Sequence, residues 1–170
     1  MKNYPLLLAV IFSIAYIGIT LFLYFSERFE TMAFLYLMAM GAMIPMVILS
    51  IRLQRDFVYG GPISGRNAAK EGMRYVLFTI LFLLIFQTIF FYSGWKEFKM
   101  ENLPHNIRAH AVKLDQLGKK KFDEVLLQKA IKEELANVTL FKELSFVFYR
   151  FIFVGIFGSF ISAVFLKTTR

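Results

Sequence analysis

The chain has two histidines, His105 and His110, and they are the first residues to test for chemistry. Imidazoles four apart share one helix face and can hold a metal ion together; these are five apart and do not. Glu101 stands four before His105, a spacing that makes only a weak surface pair. There is no cysteine, which removes disulfides, thiolate metal sites, cysteine nucleophiles and S-palmitoylation together. Met32, Met38, Met40, Met43 and Met46 crowd one apolar stretch. Thioethers can ligate copper(I), but no Cys or His lies in the apolar stretches to help, and the methionines read as packing filler. Tyr59-Gly60-Gly61-Pro62 precedes a helical run, as a phosphate cradle does. No strand leads into it and no Gly-Lys-Ser/Thr follows, so it reads as a turn. Asp115, Asp123, Glu124, Glu133 and Glu134 alternate with lysines as a solvated face. No Ser/His/Asp arrangement or pair of buried carboxylates can be assembled from spacing. The expectation is no catalytic residue, no cofactor, no metal ion and no enzyme.

What surrounds these residues is an apolar chain. Of 170 residues 58% are hydrophobic, with 21 Phe and 8 Tyr, whereas soluble domains average under half. Pro5–Phe25 is a stretch of 21 residues without charge, about 30 Å as a helix and enough to cross a bilayer core. It is too long for the core of a signal peptide and no small-x-small cleavage site follows it. Further spans read at 32–51, 75–94 and 146–166. The fold class predicted is all-α: a polytopic membrane protein of four transmembrane helices, one membrane domain over 1–170, with an extramembrane helical hairpin at 95–145 between spans three and four. The net charge of +8 fits the preference of Lys and Arg for the cytoplasmic face and anionic headgroups rather than nucleic acid.

Within 95–145 the apolar spacing predicts a helix from Pro104 to Leu117, a stop at Gly118, a basic turn at Lys119–Lys121 and a second helix from Phe122 to Val138. Leu127, Ile131, Leu135 and Val138 form its apolar stripe, which must be buried against something. Tyr92 and Trp95 mark an interface belt. Pro45 should kink the second span. Gln87 in the third should hydrogen-bond to a neighbouring helix. Arg150, one turn into the fourth, either snorkels to headgroups or pairs with a carboxylate of a partner. Gly155, Ser159 and Ala163, with Gly158 and Ser162 alongside, form a small-residue stripe that packs within the chain or between two copies. In the connector, Tyr59, Gly60, Gly61 and Pro62 turn the chain and Ser64 caps a helix leading into span three.

The order of these parts is informative. Two spans are followed by Tyr59-Gly60-Gly61-Pro62-Ile63-Ser64, a basic helical run with Gly72, a third span, a charged excursion of about 50 residues and a last span. This resembles a family of small four-span bacterial inner-membrane proteins of unknown function with an aromatic-Gly-Gly-x-Ile-Ser motif between spans two and three. The resemblance covers nearly the whole chain; Gly65 stands where an aromatic residue usually follows Ile-Ser. It implies fold and inner-membrane location and no catalytic residues. It also implies a partner, a polyprenyl-phosphate glycosyltransferase, because family members are often encoded beside one.

Four spans put both termini on one side. The dense basic connector after span two favours termini in the cytoplasm and a periplasmic hairpin. The ten Lys and Arg of the excursion argue for the reverse. The function expected is that of an integral membrane accessory or scaffold subunit, contacting lipids and either another integral membrane protein or itself. The alternative is a small-solute or lipid transporter acting as an oligomer with Pro45 at a hinge, which needs a polar cavity between spans.

Overall fold

The computed structural model describes residues 3–26, 28, 30–116 and 123–166. Among them every regular element is helical: α1 Tyr4–Phe25, α2 Glu30–Phe57, α3 Gly65–Phe90, a π-helical turn Phe91–Trp95, α4 Lys96–Gln116, α5 Glu124–Ala136 and α6 Leu140–Leu166. The chain is an all-α, multi-pass membrane protein, with four helices long and apolar enough to cross a bilayer. The expected turn at Gly118–Lys121 lies outside the described residues.

The helix ends follow local chemistry. Asn3 caps α1 by accepting from the Leu6 amide at 3.3 Å, and Pro5 sits in the first turn, where no N–H is needed. Asp123, which the spacing placed inside the second hairpin helix, is its cap, accepting from the Val125 and Leu126 amides. Thr139 Oγ1 accepts from the Lys142 amide ahead of α6. Helices α2, α3 and α6 all extend beyond the apolar stretches. The reason is physical: hydropathy reports where lipid ends, whereas a helix continues while its backbone bonds are satisfied. Arg52 and Arg55 pair with Asp56 along the extra turns of α2.

The chain divides into two compact units. The first, residues 1–86 and 146–170, contains α1, α2, most of α3 and most of α6 around one core. Leu8, Ala9, Phe12, Met43, Val47, Ile51, Val76, Ile80, Leu83, Val147 and Phe151 are buried in it. Edge-to-face ring pairs join Phe12 to Tyr75, Tyr16 to Phe151 and Tyr36 to Phe146. Helix α2 runs through Pro45.

The second unit is Gln87–Ser145. The backbone leaves helical geometry at Ser93 and turns at Gly94, where φ is +120°, a region only glycine enters freely. Trp95 then stacks between Phe90 and Phe98 at 5.2 and 5.4 Å. It is buried rather than set in an exposed aromatic belt; Tyr92 is exposed. Helix α4 starts eight residues before the expected Pro104, which lies inside it. Helices α4 and α5 pack as an αα-hairpin, with Leu127 and Ile131 buried.

Candidate functional site

The connector between α2 and α3 is built as a clamp. The amides of Val58 and Tyr59 donate to the Gln54 carbonyl and that of Gly61 to the Arg55 carbonyl, closing α2. This closure needs left-handed backbone at Gly60 (φ +67°) and Gly61 (φ +144°). Ile63 then enters the core at 2% exposure, and Ser64 Oγ accepts from the Asn67 amide at 3.3 Å to start α3. One turn on, Glu71 is buried, its side chain 1% exposed. Arg74 Nη1 donates to both its oxygens, at 3.0 and 3.2 Å, and the Tyr59 hydroxyl donates to Oε1 at 3.0 Å. Desolvation, and then the bond to this carboxylate, push the Tyr59 hydroxyl above its ordinary pKa. The aromatic, the two glycines, the isoleucine and the serine of the motif each have a distinct mechanical task here.

Beside the clamp the first unit has a polar interior. Glu71, Tyr75 and Thr79 recur every four residues and so share one face of α3. Ser50 and Gln54 do the same on α2, Ser159 and Ser162 face inward from α6, and Ser13 from α1; all are buried. A Cβ built on Gly72 would lie 2.8 Å from Ser159 Oγ and 3.2 Å from Ile51 Cδ1, so α2, α3 and α6 meet at this level. Thr20 satisfies its hydroxyl on the Tyr16 carbonyl at 2.8 Å. By contrast Ser13 Oγ, Ser50 Oγ, Gln54 Oε1, Ser159 Oγ and Ser162 Oγ find no hydrogen-bond partner among the described residues. Such groups can hold water or a small hydroxylated solute; with Glu71 already paired, they make no nucleophile–base couple. Reading each span alone missed this, because single serines look innocuous until helix packing brings them together.

The small residues of α6 face its own chain. Gly155, Gly158, Ser159, Ser162 and Ala163 are all buried. A Cβ on Gly155 would lie 2.4 and 2.6 Å from the two methyls of Val76, and one on Gly158 would lie 3.7 Å from Ile44 Cγ1. Close approach of α6 to α3 therefore depends on the missing side chain at Gly155. Arg150 is half-buried, its guanidinium 3.2 Å from the Phe146 ring centroid and 5.1 Å from that of Tyr36. In the second unit, Gln87 Nε2 donates to Glu143 Oε2 at 3.5 Å, and Lys99 Nζ donates to Oε1 at 2.5 Å. Lys99 also lies 5.3 Å from the Trp95 ring centroid. His105 and His110 are exposed. Among the described residues no three His, Cys, Asp or Glu side chains group as a metal site.

A family model for proteins of unknown function, DUF4199, matches residues 4–168, from the first turn of α1 to beyond the end of α6. The chain belongs to DUF4199. No curated protein and no solved structure matches it. In this DUF4199 protein the best-built feature is the Tyr59–Glu71–Arg74 clamp with the polar interior beside it.

Proposed function

We propose that this DUF4199 protein is an accessory or scaffold subunit of the bacterial cytoplasmic membrane that docks a partner membrane protein. Both termini are taken as cytoplasmic and the 95–145 hairpin as periplasmic. The observation that carries the reading is the uncovered apolar surface of the hairpin. Leu127 and Ile131 are buried, yet Val125 and Leu126 stand 77% and 57% exposed at the start of α5, where a water-facing helix would carry polar groups. The internal use of the α6 stripe supports a partner other than a second copy packed through that stripe. A polyprenyl-phosphate glycosyltransferase is the partner to test first. Mild-detergent isolation should recover a stoichiometric membrane protein that crosslinks near Val125; recovery of the chain alone, without crosslinks in cells, refutes the reading. A single cysteine at Lys120 should react with a membrane-impermeant reagent on cells whose outer membrane alone is permeable.

One observation favours a second reading, transport of a small polar solute: the buried polar atoms of the first unit that find no hydrogen-bond partner among the described residues, those of Ser13, Ser50, Gln54, Ser159 and Ser162 among them. Because the chain has no cysteine of its own, Ser50→Cys and Ser159→Cys can be probed directly with a water-soluble thiol reagent. A scaffold with a dry interior leaves both unreactive; reaction at both, with lipid-facing Phe157→Cys silent, selects transport.

A further inference from the structure

We propose that Arg150 binds the phosphate of a membrane lipid at a site formed by α2 and α6. A guanidinium within a membrane span needs an anion, because leaving it desolvated and unpaired is costly. None of the ion pairs among the described residues involves Arg150; the buried carboxylate Glu71 is taken by Arg74 and the partly buried Glu143 by Lys99. What Arg150 does have is aromatic rings: Phe146, one turn before it on α6, and Tyr36 on α2, themselves in edge-to-face contact. A ring over the guanidinium occupies its face and leaves the N–H edge free, and that edge is a planar fork matching two phosphate oxygens. The rings also fix the side chain beforehand, so little rotamer entropy remains to be lost on binding.

The depth fits the same ligand. Tyr36 lies in the first two turns of α2 and Arg150 about 15 Å along α6, towards the end of the first unit where residues 26–29 join α1 to α2. An arginine here reaches the headgroup layer, where lipid phosphates are concentrated. The ligand class is a phosphate mono- or diester on a lipid. Free phosphate offers the same oxygens, and the experiment separates the two. The side chains of Glu27, between α1 and α2 in sequence, and of Glu30, the first residue of α2, lie outside the described residues, so they enter the test as variants.

The full-length chain, delipidated in mild detergent, is titrated by native mass spectrometry with phosphatidylglycerol, with diacylglycerol of the same acyl chains, and with inorganic phosphate. Phosphatidylglycerol should bind at least about tenfold more tightly than diacylglycerol. Arg150→Gln should erase that preference, a loss of about 1.4 kcal/mol. Arg150→Lys, which keeps charge without the fork, and Phe146→Leu, which keeps the fork without its stack, should each lose part of it. These two carry the test if Arg150→Gln does not fold. Unchanged binding in the Arg150 variants overturns the proposal. So does displacement of the lipid by equimolar inorganic phosphate, which makes the ligand a free anion. Tighter lipid binding in the Glu27→Gln/Glu30→Gln double variant also overturns it, since those carboxylates would then be holding Arg150. Unchanged lipid binding with loss of a crosslinked protein in Arg150→Gln would assign the guanidinium to a partner's carboxylate instead.

Discussion

Gly155→Ala is the sharpest test of how α6 is seated. The added methyl would meet Val76 Cγ1 at 2.4 Å and Cγ2 at 2.6 Å, whereas carbon atoms rest at about 3.5–4.0 Å. The overlap is therefore about 1 Å on two atoms. Val76 cannot turn away, because a β-branched side chain in a helix has essentially one χ1 well and this one is fully buried. Overpacking of this kind costs about 3 kcal/mol at the upper end of its usual range. Replacing a helical glycine with alanine returns about 1 kcal/mol, so the net loss should be about 2 kcal/mol. In a Val76→Ala background the methyls are gone and the same substitution should become mildly stabilising, a coupling of about 3 kcal/mol. The assay is SDS titration in mixed micelles, with donor and acceptor dyes on Leu77→Cys and Phe157→Cys, both exposed positions in a cysteine-free chain. Gly158→Ala, whose Cβ would make only ordinary contact with Ile44 at 3.7 Å, is the internal control and should be neutral or better. A neutral Gly155→Ala, or a penalty that Val76→Ala does not relieve, refutes the packing of α6 on α3 through this glycine.

Removing Arg74 should hurt more than neutralising Glu71: Arg74→Met strands a buried carboxylate with only Tyr59 to bond it, a loss of about 2–3 kcal/mol, while Glu71→Gln leaves a half-exposed arginine, and the same titration ranks them. The Tyr59 hydroxyl is held protonated above its ordinary value near 10, so the folded state keeps this proton while the unfolded state releases it. Its contribution is intact below about pH 10 and falls as pH rises further; stability measured from pH 8 upward should decline less steeply in Tyr59→Phe. Glu143→Ala should free Lys99 from above Trp95, destabilise the hairpin unit by about 1–2 kcal/mol and change the emission of the single tryptophan, while Glu143→Gln, able to keep the Gln87 bond, should do less.

The four spans were readable because about twenty residues in a row that are almost all apolar, with Arg150 the one charge in any of them, have only one comfortable solvent. The hairpin was readable from its apolar spacing, and Ser64 as a cap from its place before a helical run. Gln87 finding a neighbouring helix was also expected, though not that Glu143 would be its acceptor. The Glu71 clamp was hidden for a physical reason. Tyr59 and Glu71 are twelve residues apart, joined only by the way two glycines fold the loop back, and Glu71 among Arg66, Lys70 and Arg74 looks like one more surface charge. The start of α4 was hidden because residues 96–103 lack apolar periodicity; aromatic stacking on Trp95 sets the helix going. Half of the Arg150 arrangement was within reach, since Phe146 lies one turn away on the same helix; Tyr36 comes from another span and needs tertiary structure to appear.

The pairing of Glu71 with Arg74 also bears on how the chain enters the bilayer. A carboxylate that waited for a neighbouring helix would have to cross into lipid alone. These two are three residues apart on α3, so the charge is balanced as soon as that turn winds, before any other span is in place. Tyr59 and the covering helices are later additions to a turn whose carboxylate is already paired. Membrane integration of α3 is thereby uncoupled from assembly of the bundle, and Arg74→Gln would tie the two together again by sending an uncompensated carboxylate into the membrane.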